Sequence, residues 1–323
     1  MNIREQFLLA TSRGIAICAN EAAKWRVTRR DLPGSFVTSV ITQGEIILVG
    51  TKDGIFRSGD RGESWQAVNN GLSIRHIRWL VAHPDDLHRV FAGSEPAGIF
   101  LSKDGGHSWR ACPEVVELRD QQGWYLPYSP EAGCVRGFAF SGADGFAAVE
   151  VGGILVSRDF GETWTLNRKN QFSEKNIHPD VHSITAHPSS AHLIAAPTGG
   201  GFFLSKDGGA TWDNRYPDCY CRAVWWDPVD PDHMLLGAAD WVDRNGRIEE
   251  TRDGGYTWSE ATYGLDLPWR NYMVERFSQV GDHLLAVLSN GELLVTSLES
   301  YSWRRLLPEV KDVMAVAGLS LGT

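Results

Sequence analysis

Three things are scarce in this sequence, and each scarcity excludes a class. Long hydrophobic runs are missing, since no stretch approaches the roughly eighteen apolar residues that a membrane span needs, so no membrane association is expected. Cysteine is sparse and odd in number: Cys18, Cys112, Cys134, Cys219 and Cys221 are scattered along 323 residues. A secreted disulfide framework is therefore not indicated, and a reducing, cytoplasmic setting is expected. Positive charge is the third deficit. With 31 Lys and Arg against 40 Asp and Glu, the formal charge is −9, whereas nucleic-acid affinity comes mainly from clustered cations. The apolar segment FLLATSRGIAICA (7–19) is broken by Arg13 and Gly14 and reads as a pair of strands rather than a signal core.

Gly and Trp, by contrast, are plentiful, at 34 and 13 residues, which suits many tight turns and aromatic wedges between sheets. An eight-residue pattern, S/T-x-D-x-G-x-S/T-W, recurs at SGDRGESW (58–65), SKDGGHSW (102–109), SRDFGETW (157–164), SKDGGATW (205–212) and TRDGGYTW (251–258). Two decayed copies, CANEAAKW and TSLESYSW, end at Trp25 and Trp303. The seven terminal tryptophans are spaced by 40, 44, 55, 48, 46 and 45 residues, the size of a four-stranded propeller blade. The Asp carboxylate can accept from amides of its own turn, Gly supplies positive φ, and Trp folds back into the sheet interface. The pattern is thus a hairpin device between third and fourth strands.

The expected fold is all-β: a seven-bladed β-propeller in one domain, 1–323. Its blades run roughly 1–34 plus 310–323, 35–74, 75–132, 133–179, 180–219, 220–270 and 271–309. The N-terminal unit has only three strands (FLLATS, GIAICA, KWRVTR), and DVMAVAGL (312–319) resembles an unpaired first strand. The C-terminal strand should therefore complete the first blade and remove an exposed sheet edge.

These boxes resemble the BNR or Asp-box repeat group of sialidases, two-propeller xyloglucanases, sortilin-type receptors and photosystem II assembly factor-like propellers. The resemblance implies the fold and is nearly silent on function, because the shared hairpins support different activities. A sialidase would show an arginine triad opened by Phe-Arg-Ile-Pro, a segment missing here. Xyloglucanases of the group place catalytic acids between two propellers. The assembly-factor-like propellers match best in size and blade count.

Chemistry is expected on the face opposite the boxes. Long connections at 112–133, 167–180 and 262–271 carry Trp124, Tyr125, Tyr128, Phe172, Tyr263 and Trp269, too many aromatics for inert spacers. Aligning the innermost strands places Arg78, Arg136, His182 and Arg222 at one register position in four consecutive blades. Unit charges about 4 Å apart repel by roughly 4 kcal/mol at an effective dielectric near 20, so anionic compensation is required. It can come from Asp53, Glu95, Glu150, Asp240 and Asp243 in second-to-third strand turns, making the arginines struts between blades. It can also come from a bound carboxylate, phosphate or sulfate.

The ligand reading names Arg78, Arg136, Arg222, Trp124, Tyr128, Trp241 and Tyr272 as binding residues for a small anionic or carbohydrate ligand. If a hydrolase or lyase reaction occurs there, His182 is the candidate general acid or base, and Glu150 with Asp240 a candidate glycosidase pair. The rival reading is a scaffold binding a protein partner through its aromatic loops. No cofactor is expected. A metal site from His178, Asp180 and His182 with Cys219 and Cys221 lacks the helical i, i+4 geometry, and none is expected. The histidines of the two AHP elements, His83 and His187, read as turn formers.

Overall fold

The computed structural model describes residues 6–21, 24–125, 133–167, 177–261 and 263–319. Its strands form seven four-stranded antiparallel sheets, and the architecture is a seven-bladed β-propeller. The second strands carry the apolar load: Ile46–Thr51, Met234–Ala239 and His283–Leu288 are buried almost throughout, as strands covered on both faces must be. Several fourth strands are short and exposed, Gln66–Ala67 and Ser259–Glu260 for example, whereas that of the first blade, Lys24–Asp31, is eight residues long.

Two compact units partition the chain. One takes Met1–Ser94, Ile99–Ala111 and Ser278–Thr323; the other takes Glu95–Gly98 and Cys112–Phe277. In the first, Val313–Leu319 pairs with Gln6–Thr11, setting Leu8 opposite Ala317 and Phe7 opposite Gly318. The C-terminal strand thus completes the first blade, and Val313 and Val316 join Phe7, Leu9 and Leu285 in one core cluster.

Each intact eight-residue hairpin is the same hydrogen-bonded knot. In the fifth blade Ser205 Oγ donates to Asp207 Oδ1 at 2.8 Å and accepts from the Gly209 amide at 2.8 Å. Thr211 donates to Asp207 through its amide at 2.8 Å and its hydroxyl at 2.6 Å. Asp60, Asp104, Asp159 and Asp253 accept the same hydroxyl-and-amide pair from Ser64, Ser108, Thr163 and Thr257. The turn needs positive φ at two successive residues, met by Gly208 and Gly209 at +68° and +81°. Arg61 and Phe160 take the first of these positions at +60° and +59°, which costs about 1 kcal/mol for a residue with a Cβ. In the decayed copy at 296–303 a Ser297–Ser300 hydroxyl contact of 2.8 Å stands in for the carboxylate, and Trp303 is still buried.

One segment read as open loop has structure. Pro113–Gln122 is an α-helix with proline in its first turn and Gly123 in the left-handed conformation after its end. It carries little helical signal because Val115 is its only buried residue and its apolar residues, Val115, Val116 and Leu118, do not recur along one face.

A β-bulge near the start of the first strand recurs from blade to blade. Pairing skips Thr38, Arg78, Arg136 and Arg222 between their neighbours, and in the first blade it skips Met314. A bulge leaves the extra residue unpaired and re-aims its side chain. His182 occupies the same place by analogy, following Val181, whose isolated bridge to Thr198 matches the Val37–Thr51 pairing. The first strand of that blade, Thr185–His187, begins three residues later than the sequence register implied.

Candidate functional site

The bulge residues of the second unit converge on a carboxylate that sequence alignment did not select, Glu275. Val274 lies against Gly237, where an added Cβ would stand 2.7 Å away, as Ile77 lies against Gly50 at 2.8 Å. Glu275, one residue later, therefore holds the Arg78 position of the seventh blade. Arg136 reaches Glu275 at 3.0 Å and Glu150 at 3.3 Å, while Arg222 pairs with Glu275 and lies 3.9 Å from Asp243. Burial works against charge on Glu275, but the Arg222 and Arg136 guanidiniums hold its carboxyl below the usual range. Glu150 is itself buried and accepts from the Cys134 thiol at 3.0 Å.

His182 is locked on both ring nitrogens. Its side chain is fully covered; Nδ1 lies 2.7 Å from the Cys221 carbonyl, and Nε2 lies 3.1 Å from Asp180 and 3.2 Å from the Tyr220 hydroxyl. The Cys221 contact repeats what Thr38 does in the second blade, where its hydroxyl donates to the carbonyl of Ile77 just before the next bulge. Asp180 is disfavoured as an anion by burial, yet its His182 contact prevails and holds its carboxyl low. His178 is half-buried, and burial pushes its basicity down.

The remaining candidates separate. Tyr220 and Arg222 stack with a centroid distance of 5.5 Å, and Trp241 lies 5.8 Å from Tyr220 while keeping 61% of its surface exposed. Trp241 belongs to the turn Asp240–Gly246, which replaces the Thr-x-x-Gly turns of other blades at 11–14, 51–54 and 198–201. That turn is stiff: Trp241 bridges Arg244, Gly246 bridges Trp269, and Asp243 and Asn245 take positive φ. Asp240 is exposed and accepts from Asn245 at 2.8 Å and Arg247 at 3.0 Å, which hold its carboxyl low. Tyr272 is half-buried and stacks on the buried Trp269 at 5.5 Å.

Trp124 is buried and lines a cleft of about 280 Å³ with Trp212, Asn167 and Gly152. Arg78 lies in the first unit, half-buried at its bulge. Tyr128 and Phe172 fall outside the described residues. His83 and His187 accept from the amides of Asp85 and Ser189, as turn formers do. The sulfurs of Cys219 and Cys221 lie 3.4 Å apart, and Cys221 meets His182 through its backbone carbonyl.

Glu275, Tyr220 and Cys134 are what the sequence reading missed. Glu275 carried a findable signal: it follows Val274 at the head of VERFSQV as Arg78 follows Ile77 in IRWLVAH.

No family model matches the chain, and no curated protein matches it. Solved structures of similar fold include an ancestral GH74 enzyme, with a TM-score of 0.63 and 16% identity over 98% of this chain. This chain spans 40% of that enzyme's length. YCF48 bound to D1 peptide aligns with a TM-score of 0.60 and 16% identity over 97% of this chain and 90% of its own. YCF48 from Cyanidioschyzon merolae aligns at 0.61 and 14% identity, over 93% and 98%. At these identities the likeness is one of fold.

Proposed function

We propose that this protein is a non-catalytic recognition propeller that holds a segment of a partner protein against the Trp241 turn. The observation that carries this reading is Trp241 itself, 61% exposed on a turn tied to Tyr220 beneath it. A rigid, solvent-facing indole resting on an aromatic that itself stacks with a guanidinium has the form of an interface anchor, because little side-chain freedom is lost when a partner covers it. The cations that would mark an anion pocket are occupied: Arg136 and Arg222 share Glu275, and Arg136 also holds Glu150. Catalysis is disfavoured on the same geometry. His182 is covered and used at both nitrogens, Glu150 is engaged by two donors, and Asp240 is held ionised and so is a poor general acid. The peptide carried by the YCF48 structure of similar fold supports a protein partner, and five buried cysteines outside any disulfide fit a reducing, cytoplasmic location.

A second reading, a carbohydrate ligand, draws on the 280 Å³ cleft, whose Trp124, Trp212 and Asn167 offer the aromatic and amide surfaces that sugars use. A displayed random-peptide library panned on the full chain separates the two. The expected result is enriched peptides whose affinity falls by about 30-fold or more in Trp241→Ala and is untouched by oligosaccharides. No enrichment, or binding indifferent to Trp241→Ala, overturns the proposal.

A further inference from the structure

Glu150, Asp180 and His182 bring one imidazole and two carboxylates together, with Glu150 and His182 buried and Asp180 half-buried. His182 Nδ1 lies 2.7 Å from the Cys221 carbonyl oxygen, which only accepts, so Nδ1 carries a proton and Nε2 is turned toward the carboxylates. Nε2 lies 3.1 Å from one carboxylate oxygen of Asp180 and 3.2 Å from the Tyr220 hydroxyl. The other Asp180 oxygen is buried with no hydrogen-bond partner, at the cost such an orphaned acceptor carries. Glu150 adds a further carboxylate, and the candidate donor atoms of all three residues lie within 4.8 Å of one another.

The backbone has made room. Gly199 and Gly200 do not adopt the positive φ that would call for glycine, yet a Cβ at Gly199 would stand 2.5 Å from an Asp180 carboxylate oxygen and one at Gly200 2.5 Å from the His178 ring. Their side chains are missing for space, not for conformation.

We propose that Glu150, Asp180 and His182 bind a divalent first-row transition ion such as Zn2+ or Mn2+. One imidazole nitrogen with two carboxylates is a donor set those ions accept. A histidine whose other nitrogen donates to a backbone carbonyl is oriented as metal-bound histidines are. Asp180, with 26% of its side chain exposed, gives the ion its way in. The bound cation would tie the stretch before the first strand of the fifth blade to the end of the second strand of the fourth, Asp144–Glu150, and so reinforce the structure beneath the Trp241 turn without taking part in a reaction.

The test uses the full chain stripped with a chelator, then titrated with Zn2+ by calorimetry and with Co2+ by visible absorption. One ion per chain is expected, with a Co2+ spectrum of nitrogen and oxygen ligation and a raised melting temperature. Asp180→Asn and Glu150→Gln should weaken binding by roughly 10- to 100-fold or more. His182→Gln, which keeps a donor for the Cys221 carbonyl, should do the same while remaining folded. Cys219→Ser should leave affinity unchanged, since the neighbouring thiols are the competing Zn2+ ligands. No binding by the stripped wild type, or binding lost in Cys219→Ser and retained in Asp180→Asn, overturns the proposal.

Discussion

Two positions recur in this protein, and they have been treated in opposite ways. At the eight-residue hairpin the backbone and the side-chain chemistry repeat together: five Asp carboxylates accept the same hydroxyl-and-amide pair, and a Trp closes the turn. At the first-strand bulge the backbone repeats and the chemistry does not. Thr38, Arg78, Arg136, His182, Arg222, Glu275 and Met314 occupy equivalent places. A position whose residue is dictated by its own turn can hold one answer. A position that the backbone merely presents is free to be specialised, and there this chain has placed its charged network. On the proposed function, stability is encoded at the first position and recognition beside the second.

The comparison breaks most violently if the repeated frame is opened. Removing residues 310–323 strips Val313–Leu319 from its partner strand Gln6–Thr11 and leaves Phe7, Leu9 and Leu285 without part of their core. Expected is insoluble or grossly destabilised protein, read by solubility and melting. A truncated chain melting within a few degrees of the full one would show that this strand is dispensable. Next in size is Trp212→Ala. The indole is 4% exposed and packs with Phe146, Val156 and Ile194, so its truncation should cost about 3 to 5 kcal/mol by denaturant titration. Peptide affinity per folded molecule should not change.

At the bulge position the informative change is Glu275→Gln. It withdraws the carboxylate that Arg136 and Arg222 share and leaves two guanidiniums facing each other, a loss of about 3 kcal/mol at neutral pH. The pH dependence follows from the depressed folded-state pKa. The unfolded carboxyl titrates near 4.5, so the stabilisation is fully present above that value and disappears as pH falls through the lower folded pKa. The gap between wild type and Glu275→Gln should therefore close in acid. A gap constant from pH 7 to pH 3, or a variant as stable as wild type, would mean the arginines are not held by this carboxylate.

The same contrast explains what could be read without coordinates. The hairpins were legible because every residue in SKDGGATW answers to a local demand: a hydroxyl at each end of the carboxylate, glycines where φ is +68° and +81°, and an indole to bury. Strand number and the closing strand followed from the spacing of those turns. At the bulge, local sequence shows which residues share a register but not which of them touch. Three arginines and His182 were found, and the compensating Glu275 was missed because its strand, VERFSQV, lacks the apolar run and AHP-like ending by which the others were aligned. The lengthened turn at 240–246 was equally opaque, since nothing local says that Trp241 rests on Tyr220.

Trp241→Ala should have the smallest effect on stability and the clearest effect on recognition. The indole is mostly in water and touches the structure chiefly through Tyr220 at 5.8 Å, so removing it uncovers little that was buried, and the change in unfolding free energy should stay within about 0.5 kcal/mol. The turn does not need it, because Asp240 keeps its bonds to Asn245 and Arg247, and Gly246 keeps its bridge to Trp269. If the exposed indole were instead a structural wedge, like the tryptophans that close the hairpins, its loss would resemble that of Trp212 and lower the melting temperature by several degrees. Melting Trp241→Ala and Trp212→Ala side by side, and measuring the affinity of one enriched peptide for each, therefore tests the division of labour directly. Stability lost in Trp212→Ala and affinity lost in Trp241→Ala is the expected crossing. Both properties falling together in either variant would show that frame and recognition are not separately encoded.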